Sequence, residues 1–323
     1  MDNITTIDNK SRKSFLNKQV IQQFAAFGAL IIMYVFFSIF GRNFFSVDNF
    51  ISIALQTSII AFIGIGVTFP IITAGIDLSI GSVLALSGVV TGLSMKAGIH
   101  PIFAVIFGLF TGILCGAVNA FWITKGGLPP FIATLGMMGI ARGVALLITN
   151  AAPVYEFPES FEIIGGDIFN IPVPVIIMIV TALIFGFILT RTNLGTYVYS
   201  IGSNEEATRL SGINITLIKF IVYAMCGLLS AVAGIVLASR LITAQPTAGN
   251  AYELDAIASA VIGGTSLMGG VGTITGTLIG AFIIGVLRNG LNIMGVSSFI
   301  QQIIIGSVII GAVYIDQLRN KIR

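Results

Sequence analysis

Apolar runs of about 20 residues repeat along most of the chain, separated by short polar, glycine-containing or proline-containing segments. A helix of this length crosses the hydrocarbon core of a bilayer. The runs lack the short alternating pattern of membrane β-strands. The pattern therefore predicts an all-α fold, a polytopic membrane helical bundle of about ten transmembrane helices, near residues 22–41, 51–73, 79–96, 101–123, 131–149, 173–190, 217–238, 254–268, 272–290 and 298–316.

The third, fifth and eighth predicted spans are short or interrupted by glycine and proline, which indicates broken helices. The clearest break lies within residues 73–89, TAGIDLSIGSVLALSGV, where Asp77 stands between two apolar runs. At the centre of a spanning helix an aspartate costs about 2.5 to 3.5 kcal/mol, so it requires a protein partner or a wet cavity. This break is the first candidate functional segment.

A faint internal repeat relates the two halves of the chain. The pair Ile-Asp at 76–77 returns as Leu-Asp at 254–255, and PPFI at 129–132 returns as SSFI at 297–300. The match pairs the second to fifth spans with the seventh to tenth. Because the offset of five spans is odd, the halves are predicted to be inverted in the membrane. Inverted repeats with broken helices are a recurrent plan of transporters, with the substrate path near their interface.

Composition agrees with the hydropathy pattern. Of 323 residues, 56% are hydrophobic and 9% are charged, and the mean hydropathy is +1.02. Such a chain lacks the charged surface that keeps a soluble protein dispersed, so we interpret it as an integral membrane protein. Residues 1–21 are predicted to form a cytoplasmic tail, and residues 22–323 a single transmembrane domain.

The placement of charge predicts the orientation, because basic loop residues favour the cytoplasmic side. Basic residues cluster before the first span, between the sixth and seventh spans, and after the tenth: Lys10, Arg12, Lys13, Lys18, Arg191, Arg209, Lys219, Arg319, Lys321 and Arg323. Segment 150–172 has no Lys or Arg and carries Glu156, Glu159, Glu162 and Asp167. It is predicted to be an external loop, and both termini are predicted to be cytoplasmic.

The cytoplasmic connection at 191–216 contains the signals of a short exposed helix. Asn204 is suited to cap its start, Glu205 and Glu206 follow in the first turn, and Gly212 is suited to end it. A short charged helix between two spans is suited to bind a peripheral protein. A surface segment that only connects the two spans would show the same pattern.

Polar residues inside or beside the spans are the candidates for a translocation path: Gln56, Thr57, Thr68, Asn119, Asn289, Asn292, Gln301 and Gln302, with the carboxylates Asp77, Glu253 and Asp255. Amides and hydroxyls suit a polyhydroxylated solute, and they also suit hydrogen bonds between helices. Asp77 and Asp255 lie at predicted span ends. For both we favour a helix N-cap role over substrate contact.

Features of an enzyme are missing from the sequence. His100 is the only histidine, and no Cys, His or carboxylate cluster has the spacing of a metal site. The phosphate-binding pattern G-x-x-x-x-G-K-[ST] does not occur, so the chain is not expected to bind ATP in that way. We predict no catalytic residue, no metal and no cofactor.

Five segments resemble the ribose-type sugar permeases of bacterial ABC importers, and the resemblance runs from about residue 40 to the C-terminus. They are AGIDLSIGSVLAL, PPFIATLGMMGIARG, GSNEEATRLSGI, AQPTAGNAYELDAIASAVIGGTSLMGGVGT and GTLIGAFIIGVLRNGLNIMGVSS. The resemblance implies a multi-pass permease of the inner membrane that translocates a monosaccharide, D-ribose by preference. Its implied partners are a cytoplasmic ABC ATPase, a periplasmic sugar-binding protein, a second permease copy and membrane lipid, but no nucleic acid.

The same resemblance assigns roles to particular residues. It implies that the helix near 204–212 docks on the ATPase, through Asn204, Glu205, Glu206, Ala207, Arg209 and Gly212. Asp77, Gly81, Glu253 and Asp255 fall in the family's signature segments, and with Asn289 and Asn292 they are candidates for helix-break, structural or path residues.

The sequence is also compatible with two other classes of function. An ion-coupled secondary transporter would use Asp77, Glu253 or Asp255 to titrate or to hold a cation within broken helices. A structural membrane scaffold would carry no substrate.

Overall fold

The computed structural model describes residues 23–321, apart from the side chains at 315–316 and 318–321. The predicted cytoplasmic tail at 1–21 and the basic side chains at the C-terminus therefore lie outside the described residues. The described helices are α1 Gln23–Phe40, α2 Val47–Ile72, α3 Ile80–Lys96, α4 Pro101–Thr124, α5 Pro130–Thr149, α6 Glu159–Glu162, α7 Val173–Arg191, α8 Asn193–Ser203, α9 Glu205–Leu210, α10 Ile215–Leu241, α11 Tyr252–Ile262, α12 Ile274–Ile293 and α13 Ser298–Lys321.

This architecture confirms the polytopic helical bundle. Seven of the described helices, α1, α2, α4, α5, α7, α10 and α12, are long and apolar enough to cross a membrane. Helix α3 and the apolar part of α13 are shorter. The predicted eighth span at 254–268 is too long, because α11 ends at Ile262 and Gly264 adopts a φ of +96° that suits glycine alone.

Local sequence sets most helix starts. The side chains of Ser46, Asn214 and Thr273 each accept a backbone N–H three residues further on, at the N-termini of α2, α10 and α12. Helices α4 and α5 instead begin with a proline, Pro101 and Pro130, whose missing N–H would have no helical partner in any case.

The centre of the bundle is built from α2 and α10, the two longest spanning helices, which pack against each other. Helix α10 also packs against α3 and α4, and α2 packs against α11 and α12. Glycines make this closeness possible. A side chain at Gly112 of α4 would collide with the backbone of Gly227 on α10, and one at Gly116 with the backbone of Tyr223. These glycines, four residues apart on α4, therefore serve helix packing.

Residues 150–172 form a compact cover over one end of the bundle. Val154 pairs with Ala244 in an isolated antiparallel bridge, and Phe161 is fully buried. Strands β1 (Asp167–Ile168) and β2 (Ile171–Pro172) then make a small antiparallel hairpin. The sequence predicts this segment only as a loop, because the elements are too short to show a periodic pattern.

Candidate functional site

The segment after α7 begins with α8 and ends with α9, the short helix that the sequence predicts at 204–212. Asn204 is the N-cap of α9: its backbone is extended, and its Oδ1 accepts the N–H of Ala207 at 2.9 Å. This bond satisfies one of the N–H groups that a helix start leaves free. Gly212 follows the helix with a φ of +82°. Both ends of α9 are therefore encoded by neighbouring residues.

The charged side chains of α9 face solvent. Arg209 and Glu206 form an ion pair of 2.6 Å, with 66% and 62% of their side chains exposed, and Lys219 binds Glu205 at 2.8 Å. The hydrogen bond and the positive charge of Arg209 hold the pKa of the Glu206 carboxyl below its ordinary value. Because exposed ion pairs add little stability, these charges are available to a partner.

An open groove of about 510 Å³ lies alongside α8 and α9. Six of its nine lining residues carry a hydroxyl group: Thr196, Tyr199, Ser200, Ser203, Thr208 and Ser211. The α8–α9 segment is also fixed to the bundle. The Tyr199 hydroxyl donates to the Gly272 carbonyl at 2.6 Å, and Gly202 packs on the carbonyl of Ile72 with no room for a side chain.

That carbonyl belongs to the last residue of α2, and it also accepts the N–H of Gly270 at 2.8 Å. Gly270 and Gly272 lie in the connection at 263–273 between α11 and α12. The α8–α9 segment therefore contacts the ends of two different parts of the bundle, and a displacement of the segment would reach both.

The first helix break, at 73–79 between α2 and α3, is organised by Asp77. This carboxylate is 1% exposed, and its Oδ1 accepts the backbone N–H of Ser79 at 2.9 Å and the Ser79 hydroxyl at 2.6 Å. The N-cap of α3 is Ser79 itself. The N-cap role predicted for Asp77 is therefore wrong, because Asp77 lies two residues before the N-cap. Its carboxylate instead stabilises the turn that leads into α3.

Neighbouring helices complete this break. The Asn119 amide of α4 donates to the Ser79 hydroxyl at 3.0 Å. Thr134 of α5 donates to the carbonyl of Ile76 at 3.1 Å and accepts the N–H of Leu78 at 3.2 Å. Backbone outside a helix is tolerated within a membrane only when protein groups satisfy it, and side chains of α4 and α5 do so here.

The second break precedes α11, and it corrects the N-cap role predicted for Asp255. The N-cap of α11 is Ala251, in a left-handed conformation with φ of +65°. Asp255 lies within the first turn, is 1% exposed, and binds Arg288 of α12 at 2.6 Å. A buried carboxylate is retained most readily when a guanidinium compensates it, which is what this geometry provides.

The two breaks touch each other. The backbones of Gly81, in the first turn of α3, and Gly249, just before α11, leave no space for a side chain on either residue. A Cβ on Gly81 would also lie 2.7 Å from Oε2 of Glu253. Gly81 and Glu253, both predicted as signature residues, therefore meet at one point, where the starts of two short helices approach each other.

Comparison with known sequences decides the family. The profile of a family described as the branched-chain amino acid transport system permease component matches residues 49–313. The chain belongs to this permease family. As a permease it is a multi-pass protein of the inner membrane, in agreement with its apolar helices.

Several curated relatives of this permease carry sugar names. The ribose import permease protein of Escherichia coli strain K12 is 45% identical over 320 residues, 98% of this chain and 100% of the relative. That of Bacillus subtilis strain 168 is 44% identical over 304 residues, 93% of this chain and 94% of the relative. The D-allose transport system permease protein of E. coli K12 is 41% identical over 301 residues, 91% and 92% of the two chains. No solved structure gives a significant match. The resemblance to ribose-type sugar permeases is confirmed.

Two arginines of the permease are missed by the sequence predictions. Arg288 compensates Asp255, and Arg142 of α5 donates from Nη1 to the carbonyls of Pro246 and Ala248 at 2.6 and 2.8 Å. Arg142 thus holds the segment that leads to α11. A cation inside an otherwise apolar predicted span is as informative as a carboxylate, and this signal would have found both residues.

The two predicted asparagines of α12 differ in their surroundings. Asn292 accepts a 2.7 Å hydrogen bond from Gln301 of α13, which links these two helices. Asn289 is 7% exposed, and its Oδ1 has no hydrogen-bond partner within residues 23–321. No hydrogen bond or ion pair between described residues joins either asparagine to Asp77, Asp255 or Glu253. The predicted set is therefore divided between the two breaks, α9 and the C-terminal end of α12.

Proposed function

We propose that this permease is the translocation subunit of an ABC importer that carries a monosaccharide across the inner membrane. D-Ribose is the first candidate, because the ribose import permeases of E. coli and B. subtilis align with almost the whole chain. The family description names branched-chain amino acids, whereas each relative compared above is named for a sugar. A separate binding protein is expected to set most of the selectivity, so the permease itself constrains the sugar less strongly.

The observation that carries the proposal is the α8–α9 segment. Helix α9 of this segment carries exposed charges. Helix α8 fixes the segment to the end of α2 and to the connection between α11 and α12. We infer that α9 docks on a cytoplasmic ATPase through Asn204, Glu205, Glu206, Ala207, Arg209 and Gly212. ATP binding and hydrolysis would then alternate access to the path, driven by the different nucleotide affinities of the two states.

The complex would contain further partners. A periplasmic sugar-binding protein would deliver the sugar, and a second copy of the permease would form the other wall of the path. Lipid would surround the outward-facing apolar side chains of α4 and α7, which include Phe107 and Phe187. The pattern G-x-x-x-x-G-K-[ST] does not occur in the sequence, which fits an energy source on another subunit.

We further propose ten spans with both termini in the cytoplasm. The seven long helices, the shorter α3 and α13, and the half-length α11 supply ten segments. The inverted repeat has support in the matched order of long and short helices. Helix α2 has 26 residues and leads through a break to α3, and α10 has 27 residues and leads through another break to α11.

The test is sugar uptake into proteoliposomes that contain the permease, the ATPase subunit and the binding protein. Uptake should stop when the ATPase is omitted, and Arg209→Glu should reduce it at least about tenfold, because it replaces an exposed cation on the docking helix with an anion. Arg191→Glu is the matched control, since Arg191 is an exposed cation at the end of α7, outside α9. Full uptake without the ATPase would overturn the proposal.

The alternative of an ion-coupled transporter makes an opposite prediction. A protonophore should collapse uptake at constant ATP if proton or cation binding drives transport. We expect no such collapse, because Asp255 is compensated by Arg288 and Asp77 is hydrogen-bonded to Ser79.

A further inference from the structure

The hairpin at 167–172 ends in an unusual turn. Ile168 pairs with Ile171, so the turn consists of two residues, Phe169 and Asn170. Both have positive φ values, +52° and +63°. Two positive φ angles in a two-residue hairpin loop correspond to a type I′ turn, which favours Asn-Gly or Asp-Gly. Phenylalanine is a poor residue for this position, since a bulky side chain in the left-handed region is strained.

This turn also exposes apolar surface. Phe169 is 93% exposed, and the flanking Ile168 and Ile171 are 45% and 52% exposed. Neither local conformation nor packing within the described residues accounts for phenylalanine here. Strained residues persist where the surroundings fix them, and they cluster at functional sites. A protruding apolar tip is a feature of surfaces that bind another molecule.

The base of the hairpin is held rigidly. Val173 N–H donates to the carbonyl of Gly166 at 2.9 Å and closes the hairpin. Gly165 N–H donates to the Ser239 hydroxyl of α10 at 2.8 Å, and that hydroxyl donates to the carbonyl of Phe161 at 2.6 Å. The tip is therefore presented by the bundle in a fixed position, which lowers the conformational entropy lost on binding.

Charge around the tip points to the kind of partner. Glu156, Glu159 and Asp167 are exposed, and none of them forms an ion pair with another described residue. Segment 150–172 contains no Lys or Arg to balance them. Unpaired carboxylates favour a basic protein surface, and they are repelled by an anionic lipid surface.

We propose that the hairpin tip, residues 168–171, is a docking point for the sugar-binding protein, with Phe169 inserted into an apolar pocket that basic residues surround. This inference rests on the proposed function, which supplies both the partner and the external position of segment 150–172. Phe169 is the anchor, and Asp167 with the neighbouring glutamates sets the orientation of the encounter.

The test is a titration of proteoliposomes containing permease and ATPase with sugar-loaded binding protein, read as stimulated ATPase activity. Phe169→Gly removes the anchor and places in the turn a residue that favours positive φ, so the hairpin keeps its fold. We expect the half-saturating concentration of binding protein to rise about tenfold, with unchanged basal and maximal activity. Asp167→Lys should raise it several-fold and weaken its dependence on salt.

Phe299→Ala is the matched control. Phe299 is 81% exposed near the start of α13, and the proposed topology places it on the same side of the membrane. It should leave the titration unchanged. Unaltered half-saturation in both Phe169→Gly and Asp167→Lys would overturn the docking proposal. So would a Phe169→Gly effect that appears only as weaker retention of the permease in vesicles, which would identify a membrane contact. If the binding protein fails to stimulate the wild-type complex at all, the proposed function itself fails, and the docking proposal with it.

Discussion

The buried polar groups at the two helix breaks differ from the exposed charges of α9 in burial and in the partners that they bind. Asp77 and Asp255 are each 1% exposed, and each is bound by at least one polar partner inside the bundle. Glu206 and Arg209 are more than half exposed and bind mainly each other. The buried groups lose their partners only if the fold opens, whereas the exposed groups can exchange partners freely. We therefore propose that Asp77 and Asp255 serve architecture, whereas the carboxylates on α9 are available for recognition.

The largest expected effect on stability is at the Asp255–Arg288 pair. Arg288→Met leaves a carboxylate that is 1% exposed without its cation, and we expect a loss of about 3 to 5 kcal/mol in the free energy of unfolding. Asp255→Leu should cost less, because the Arg288 side chain is 35% exposed and reaches water. The measurement is the midpoint of thermal unfolding in detergent, with the yield of monodisperse protein.

The double variant, Asp255→Leu with Arg288→Met, is the matched control. Replacing both charges by apolar groups of similar volume should recover most of the lost stability. If the double variant is as unstable as Arg288→Met alone, the pair has a role beyond mutual compensation. Equal losses of stability in the two single variants would contradict the expectation that the more deeply buried Asp255 depends more on its partner than Arg288 does.

A smaller effect is expected at Asp77. Asp77→Leu leaves the Ser79 N–H and hydroxyl without their acceptor. Each unsatisfied buried group should lower the free energy of unfolding by about 1 to 3 kcal/mol. Asp77→Asn keeps an acceptor oxygen and should lose about 1 kcal/mol or less. Both are measured by thermal unfolding and by sugar uptake in vesicles. Near-complete loss of uptake in a normally assembled Asn variant would show that the negative charge itself is required, and so would bring Asp77 into the transport step.

The smallest effect on stability is expected on α9. Arg209→Gln removes an exposed pair and should leave the thermal unfolding midpoint unchanged within error, while it weakens association with the ATPase. Arg209 lowers the pKa of the Glu206 carboxyl. The ion pair is therefore fully formed at any pH above the ordinary pKa of a carboxyl group, and it is lost only as the pH falls through the lowered pKa. Between pH 8 and about 6, association of the wild-type subunits should therefore not change through this pair. In Arg209→Gln, Glu206 should become protonated at a higher pH than in the wild type, which a pH titration of the association would detect.

The sequence predicts best what depends on near neighbours. The long helices follow from runs of apolar residues, and α9 follows from Asn204 at its start and Gly212 at its end, within the reach of single hydrogen bonds. Helix α8 is not predicted, because residues 193–203 mix hydroxyl and apolar side chains without a run long enough for a span.

Contacts between distant residues are the part that the sequence does not reveal. The Asp255–Arg288 pair joins residues 33 positions apart, and the Asn119–Ser79 bond joins residues 40 positions apart. A carboxylate near a helix start has the same local pattern whether it caps the helix or binds a distant guanidinium. For Asp255 the tertiary partner decides the role, and the N-cap prediction fails for that reason.

The contact of the α8–α9 segment with both the end of α2 and the turn before α12 has an energetic consequence for the proposed importer. Tyr199 and Gly202 join the segment to the two parts through one hydrogen bond and one backbone contact. Loosening of this junction would let the ATPase complete its cycle while the bundle stayed still. We therefore expect the number of ATP molecules hydrolysed per sugar imported to depend on this junction, so that Tyr199→Phe, which removes the hydrogen bond to Gly272 without adding bulk, raises that ratio.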